Sequence, residues 1–501
     1  MRLDRRSFLK LSGFAAAAAL SSPSSVFSAV NTKPNLLIIH TDEHNFRTLG
    51  CYRKTLSQKQ AFVWGKNVAV ETPHIDSLAE NGTLCTSFYA TTPVCSPSRS
   101  SFVSGRYPQN TPVVTNNIRM NDDIETFAAT LQKHGYKTGY AGKWHLDGFG
   151  KPQWGPEREF GFADNRYMFN RGHWKLLEDT PEGPRVAARN NKGRPSYSVA
   201  NATPENFTTD FLADKAIEFV TANRNEPFCY MVSIPDPHGP NSVRPPYETM
   251  YQDLDFQPPE TSKKSAEGLP SWGKKARPIG PRGMAKYFGM VKCIDDNVGK
   301  MVDHLKKLDL LDNTIVVFTS DHGDLCGEHS RNNKGVPYEA SAKIPFVISW
   351  PKKIKKGNVI NHAMSCVDFL PTVLSLMDVP TSGKEDGRDA SGLFTGTDGS
   401  YKDIAFIRGT GDRNGTEKGD DKDNWFGVVT SRYKLIYAPE DKPWLFDLKK
   451  DPDELVNFYE EPAYKDTRKE LAKELIAYAK KHNDPRITVA TTKKYLAEAI
   501  A

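Results

Sequence analysis

The sequence predicts an α/β fold: a mostly parallel central sheet sandwiched by helices, followed by a smaller C-terminal α+β domain. Three observations predict it. Apolar runs bounded by turn residues, such as Leu36-Leu37-Ile38-Ile39 and Ile315-Val316-Val317-Phe318, lack the polar alternation of half-exposed strands and read as strands buried on both faces. Segments with helical apolar spacing separate these runs, the order that a parallel sheet with crossover helices requires. Titratable residues follow the strand ends directly, where open α/β sheets bind ligands.

Taken in order, residues 34–40 form a buried strand that ends in Thr41-Asp42-Glu43. Residues 72–79 read as a helix capped by Thr72 with Pro73 in its first turn. Helical spacing of Phe211, Leu212, Ile217 and Val220 marks 205–222, and 227–234 is the next strand. Residues 284–308 form a long amphipathic helix, 314–320 a buried strand followed at once by Asp321-His322-Gly323, and 345–350 another strand. Near Asp403 the texture changes: 404–407, 425–429 and 433–437 are short strands separated by turns, and a helix covers 466–482. The expected organisation is an export segment at 1–28, a catalytic α/β domain at 34–398, a C-terminal subdomain with a small antiparallel sheet at 399–485, and a tail at 486–501. Two stretches rich in Pro, Gly, Arg and Lys, 151–203 and 240–283, read as long loops over the sheet, either surface insertions or substrate-shaping loops.

A chain of 501 residues exceeds one ordinary core, and 38% hydrophobic with 26% charged content is that of a soluble globular protein. Arg2, Arg5, Arg6 and Lys10 against Asp4 account for half of the formal net charge of +6, so the remainder is too mildly basic to argue for a nucleic-acid partner. Arg5-Arg6-Ser7-Phe8-Leu9-Lys10 and the apolar run to Leu20 resemble a twin-arginine export signal, cleaved after Ser28 or Ala29. That run is short for a bilayer span, and an uncleaved anchor is the alternative. The expectation is a bacterial periplasmic protein that uses the twin-arginine translocase. The seven cysteines show no metal-type spacing. A protein folded in a reducing compartment before export does not depend on disulfides, so most are read as buried apolar fillers.

Two segments carry the chemistry. Cys95-Ser96-Pro97-Ser98-Arg99, continued to Gly105-Arg106, resembles the signature of type I sulfatases, the formylglycine-dependent branch of the alkaline phosphatase superfamily. Ser104 stands where that signature usually has Thr, Ala or Arg. Gly135-Tyr136-Lys137-Thr138-Gly139-Tyr140-Ala141-Gly142-Lys143-Trp144-His145 matches the second signature of the family, and Trp444-Leu445-Phe446-Asp447-Leu448 resembles its C-terminal pattern. The resemblance spans 34–459 and implies an alkaline phosphatase-like fold and hydrolysis of sulfate esters. It implies that a formylglycine-generating or sulfatase-maturing enzyme oxidises Cys95 to an aldehyde. The hydrate of that aldehyde offers one hydroxyl to attack sulfur and a second to expel sulfate.

The same resemblance implies the site residues. Asp42 and Asp321 match the metal carboxylates of the family, with Cys95 facing the metal. Glu43 replaces a second Asp and His322 stands where Asn is common, so these two are read either as ligands or as a strand-capping acid and a hydrogen-bond partner. Oxygen-rich, irregular coordination favours Ca2+ over Mg2+. Arg99 would hold the hydrate and Lys143 would contact it and the sulfate. His145 would help collapse the sulfated intermediate, His238 in Pro237-His238-Gly239-Pro240 would protonate the leaving oxygen, and Lys334 would bind sulfate. Asp324 and His329 are read as structural; His74 and His173 have no motif support and are left unassigned.

The function expected is removal of sulfate, exo-acting, from a sulfated polysaccharide or oligosaccharide; Trp154, Arg158, Trp174, Arg185 and Arg194 on the long loops suit such a partner. Alternatives are an aryl or choline sulfatase, a phosphonate or phosphate ester hydrolase of the same fold, and a carbohydrate-binding protein without turnover. The last requires loss of a core residue, and Cys95, Arg99, Lys143, His145 and His238 are all present.

Overall fold

Strand β1, Asn35–Asp42, is buried along its whole length because its two faces enter two different cores. Leu36 and Ile38 point into one cluster and Leu37 and Ile39 into another, which is why the run lacks alternation. The computed structural model describes residues 33–263, 269–273, 280–397, 400–410, 424–439 and 441–501. The expected export segment lies outside them.

The strand opens an eight-stranded sheet. Its members in chain order are β1, β2 (Thr83–Cys85), β3 (Lys137–Lys143), β4 (Asp164–Phe169), β5 (Phe228–Pro237), β6 (Thr314–Ser320), β7 (Phe346–Ser349) and β8 (Asn358–Ile360). Across the sheet the order is β8-β2-β7-β6-β1-β5-β3-β4. β1 pairs in parallel with both β6 and β5, and only β7 runs against the others. Helices cover both faces. On one face Phe102 of α2 (Cys95–Ser104; α1 is Pro73–Glu80) stacks on Phe369 at 4.1 Å between ring centroids. On the other, Phe211 and Leu212 of α3 (Thr208–Ala222) and Ile294, Val298 and Leu305 of α4 (Pro281–Lys307) join Ile75 and Leu78 of α1.

The stretch 151–203, read as loop, contains regular structure. β4 forms the sheet edge, and Leu177–Thr180 with Gly183–Val186 makes a two-stranded hairpin. β4 escapes the apolar criterion because an edge strand has one neighbour: residues 164–167 are exposed or half-buried, and only Met168 and Phe169 are buried. Among the described residues, 240–283 is irregular apart from single turns at Glu260–Lys263 and Ser271–Gly273 and the start of α4.

The C-terminal region is a four-stranded antiparallel sheet, Ala405–Arg408, Phe426–Val429, Tyr433–Tyr437 and Trp444–Asp447, in sequential order. Helices Lys465–Lys481 and Ala490–Ile500 pack on it through Leu471, Leu475, Tyr478, Leu496 and Ala499. The small sheet also grips the large one. The Trp425 indole donates to Gly335 O at 3.1 Å, and the Arg408 amide donates to Thr91 O at 2.8 Å. All seven cysteines are buried and unpaired. No helix of the described residues is long and apolar enough to cross a membrane.

Candidate active site

Four parallel strands deliver the site at their carboxyl ends. β1 ends on Asp42, β6 is followed by Asp321 and His322, β3 ends on Lys143, and β5 is followed by His238. Helix α2 begins at Cys95 and aims its amino end, with the positive end of its dipole, at the same point. Gly142 permits β3 to approach β5: it sits at φ 101, and a Cβ there would lie 1.9 Å from Ser233 O.

Arg99, buried on α2, ties these elements together. Its Nε donates to Asp321 Oδ2 at 2.9 Å and its Nη2 to Asp42 Oδ2 at 3.2 Å. Its Nη1 donates to Lys143 O and to Ser233 Oγ, both at 2.7 Å. Four of the five N–H donors of the guanidinium fork are thus used, on four partners.

Asp42, Cys95, Asp321 and His322 place one ligand-type atom each within 4.8 Å of one another, and all four are buried. Cys95 Sγ lies 3.2 Å from His322 Nε2 and 3.9 Å from Asp42 Oδ1. His322 Nδ1 lies 3.0 Å from Gly323 O, which fixes a proton on Nδ1 and turns Nε2 into the cluster. Burial drives the His322 pKa down, but Asp321 and Cys95 outweigh it and carry it up to about 9. Burial works against ionised Asp42, yet Lys143, His238 and Arg99 hold it well below the usual carboxylate range. At Cys95 burial and Asp42 push the thiol up, and Lys143, Lys334 and His322 bring it below its ordinary value. Position 95 therefore favours an anion. Two carboxylates and one imidazole nitrogen are donor types that can hold a divalent cation.

Glu43 lies outside that group of four. Its backbone takes φ 64, and its carboxylate sits 2.9 Å from His238 Nε2 and 3.1 Å from Lys334 Nζ. Burial disfavours its charge, but His238 and Lys334 lower its pKa to about 2. Lys334 Nζ is in turn 2.8 Å from His238 Nε2. Burial lowers the His238 pKa and Glu43 outweighs it, leaving a net rise. Across the site, Lys143 Nζ bonds Asp42 Oδ2 and lies 3.0 Å from His173 Nε2. His145 is buried at φ 63, with Nε2 at 3.2 Å from Asn117 Oδ1, and its pKa is lowered, first by burial.

All ten sequence-predicted residues thus converge on one place. Three others join them. Asn116 Oδ1 accepts the Ser96 amide at 2.9 Å, Asn117 meets His145, and His173 stacks on His238 with centroids 3.5 Å apart and planes at 7°. Asn116 and Asn117 occupy a polar stretch with no pattern; Arg171-Gly172-His173-Trp174 offered only a histidine beside a glycine and an aromatic. Asp324 Oδ1 accepts the amides of Cys326 and Asn333, bracing the loop before Lys334, and His329 stacks on Tyr338 at 3.6 Å.

Comparison with known proteins gives a consistent result. The family model described as Sulfatase matches residues 34–379, and that described as N-sulphoglucosamine sulphohydrolase, C-terminal, matches 327–481. The chain is 28% identical to the uncharacterized sulfatase YidJ of Escherichia coli, over 90% of this chain and 88% of that one. It is 25% identical to an N-acetylglucosamine-6-O-sulfatase of Bacteroides thetaiotaomicron, over 94% and 91%. A structure solved in complex with its substrate D-glucosamine-2-N,6-O-disulfate superposes with a TM-score of 0.73 at 22% identity, covering 90% of this chain and 98% of the other, which establishes the shared fold. With most of its length matched by the family model, and its strand ends carrying the site just described, the chain belongs to the sulfatase family, as a sulfuric ester hydrolase of alkaline phosphatase-like fold.

Proposed function

We propose that this sulfatase removes sulfate, exo-wise, from a sulfated oligosaccharide or polysaccharide fragment in the periplasm, using a formylglycine made from Cys95 and a bound Ca2+. One observation carries the reading. Position 95 stands at the amino end of a buried helix, with Asp42, Asp321 and His322 on one side and Lys143 and Lys334 among the cations that stabilise negative charge there. The names of relatives that act on sulfated amino sugars support a saccharide, and the depth of the site supports attack on a terminal residue: Cys95 is 3% exposed and Lys143 1%. The twin-arginine-like segment supports export after a maturing enzyme has modified Cys95.

Asp42, Asp321 and His322 would hold the dication with position 95. When bound it supplies Lewis acidity toward the sulfuryl oxygens and the hydroxyl at position 95. Formylglycine supplies a hydrate, with one hydroxyl for displacement at sulfur and one to release sulfate. The protein's own residues do the rest. Arg99 fixes both carboxylates. Lys143 and Lys334 bind the sulfuryl oxygens from two sides. His238 donates the proton to the leaving oxygen: Nδ1 is engaged with Gly239 O at 2.8 Å, which leaves Nε2 to face the site, and the charge of Glu43 favours the protonated ring. His145, held neutral by burial, accepts a proton as sulfate departs.

The test is sulfate release from a panel of sulfated oligosaccharides and simple esters. The protein used carries formylglycine at position 95, verified by mass, and a metal content measured by elemental analysis. Cys95→Ala should lose at least about 10³-fold in kcat. Sulfate release retained by that variant, or a matched phosphonate ester cleaved faster than the sulfate, would overturn the proposal.

A further inference from the structure

We infer that the segment 149–197 builds a subsite for an acidic group, a carboxylate or a second sulfate, on the saccharide that carries the scissile ester. The inference rests on the sulfated-saccharide reading above. It starts from His173, which the long segment inserts into the active site. His173 lies flat on His238, 3.5 Å between centroids, and its Nε2 is 3.0 Å from Lys143 Nζ. The residue that protonates the leaving oxygen marks the side on which the leaving sugar sits. A loop packed face to face on His238 therefore lines the leaving-group side.

From His173 a series of rings leads outward. The Tyr197 ring is 6.4 Å from that of His173, tilted by 47°, and 4.9 Å from that of Trp174. The Trp174 indole donates to Arg171 O at 3.0 Å, which closes the turn that presents His173. Tyr197 is half-buried and Trp174 buried, so the tyrosine offers the accessible ring on which a sugar can stack. Lys151 reaches over both, its Nζ 4.9 Å from the Tyr197 centroid and 5.3 Å from that of Trp174.

Charge decides the class of ligand. Elsewhere on this segment Arg158, Arg166 and Arg185 each have a carboxylate partner, Asp122 at 2.5 Å, Asp179 at 2.8 Å and Glu178 at 2.6 Å, and Arg189, Lys192 and Arg194 are exposed. Lys151 and Arg171, which flank the ring series, have no carboxylate partner among the described residues; Arg171 donates to Phe149 O at 3.2 Å and Lys151 contacts only rings. Two cations without a carboxylate partner, set against the rings that lead out from His173, provide a site for an anion.

The test compares kcat/KM on three matched sulfated disaccharides whose second residue carries a carboxylate, a second sulfate or no charge. The wild type should favour a charged member over the neutral one by roughly tenfold or more, and which acid is favoured identifies the group. Lys151→Met with Arg171→Met keeps the apolar stems and removes the charge; the preference should fall about five- to tenfold, as expected for losing partly exposed charge-assisted contacts. In the wild type the preference should also shrink with added salt. Because the readout is a ratio within one preparation, loss of folded protein does not imitate it. A wild-type ratio near one, or a ratio unmoved in the double variant, would overturn the subsite and leave the sulfated-saccharide reading standing. Cleavage of aryl sulfates with none of the three saccharides would overturn both.

Discussion

Arg99 is where one side chain does most for the site. It neutralises two carboxylates that are themselves fully buried. Arg99→Ala removes the counter-charge from both, and losing one partner of a buried ion pair costs about 3–5 kcal/mol. Urea unfolding should show a destabilisation of that order. Arg99→Lys should recover only part of it, because an ammonium cannot reproduce the four-way fork. Residues of this kind were legible in the sequence because each lies in a contiguous signature or directly after an apolar run: Cys95 with Arg99, Lys143 with His145, Asp321 with His322. Glu43 was legible as a site acid, while its pairing with His238 and Lys334 depends on a left-handed backbone turn that no spacing reveals. His173 was not legible at all. It reaches the site through the packing of a long segment against β5, and that information is tertiary.

At the level of elements, strands buried on both faces announced themselves and strands on the rim did not. β1 and β6 are apolar throughout because both sides meet a core. β4, with Asp164, Asn165 and Arg166, resembles loop because water replaces its missing neighbour. β3 is the strand whose fit is tightest. Gly142→Ala would put a Cβ 1.9 Å from Ser233 O at a φ of 101, so β3 must move away from β5, and Lys143 with it. We expect a loss of roughly 2–4 kcal/mol, from the strained backbone plus disrupted packing. The melting temperature and the KM for a simple sulfate ester should both report it; an unchanged KM would mean that Lys143 is not positioned by this contact.

For the molecule as a whole, buried histidines set the response to acid. His40, His44 and His329 are each pushed from their usual 6.5 to about 3, in every case first by burial. The unfolded chain takes up these protons below pH 6.5 and the folded chain does not, so stability falls as pH drops from 6.5 toward 3. Glu454 and Asp324, raised to about 7, and Asp295, raised to about 6, each first by burial, act oppositely between their usual values and these. Below 4.5 that opposition fades, and Glu43 and Glu339, both lowered to about 2, add to the loss. Urea midpoints should change little between pH 5 and 6.5. They should fall steeply below 4.5, by about 1.4 kcal/mol per pH unit for each group that differs between the two states. A steady decline beginning at 6.5 would mean that these three carboxyls titrate normally.

The small C-terminal sheet has a bearing on how such proteins could diverge. Trp425 holds Gly335, the residue after Lys334, and Gly335 N donates to Pro93 O, two residues before Cys95; Arg408 N holds Thr91. The sheet is thus the outer splint of two loops that carry reactive side chains. A chimera that exchanged residues from 400 onward between relatives would transplant the geometry of catalysis along with the terminus. Recombination across that boundary is constrained by the active site even though none of the exchanged residues among those described reaches it.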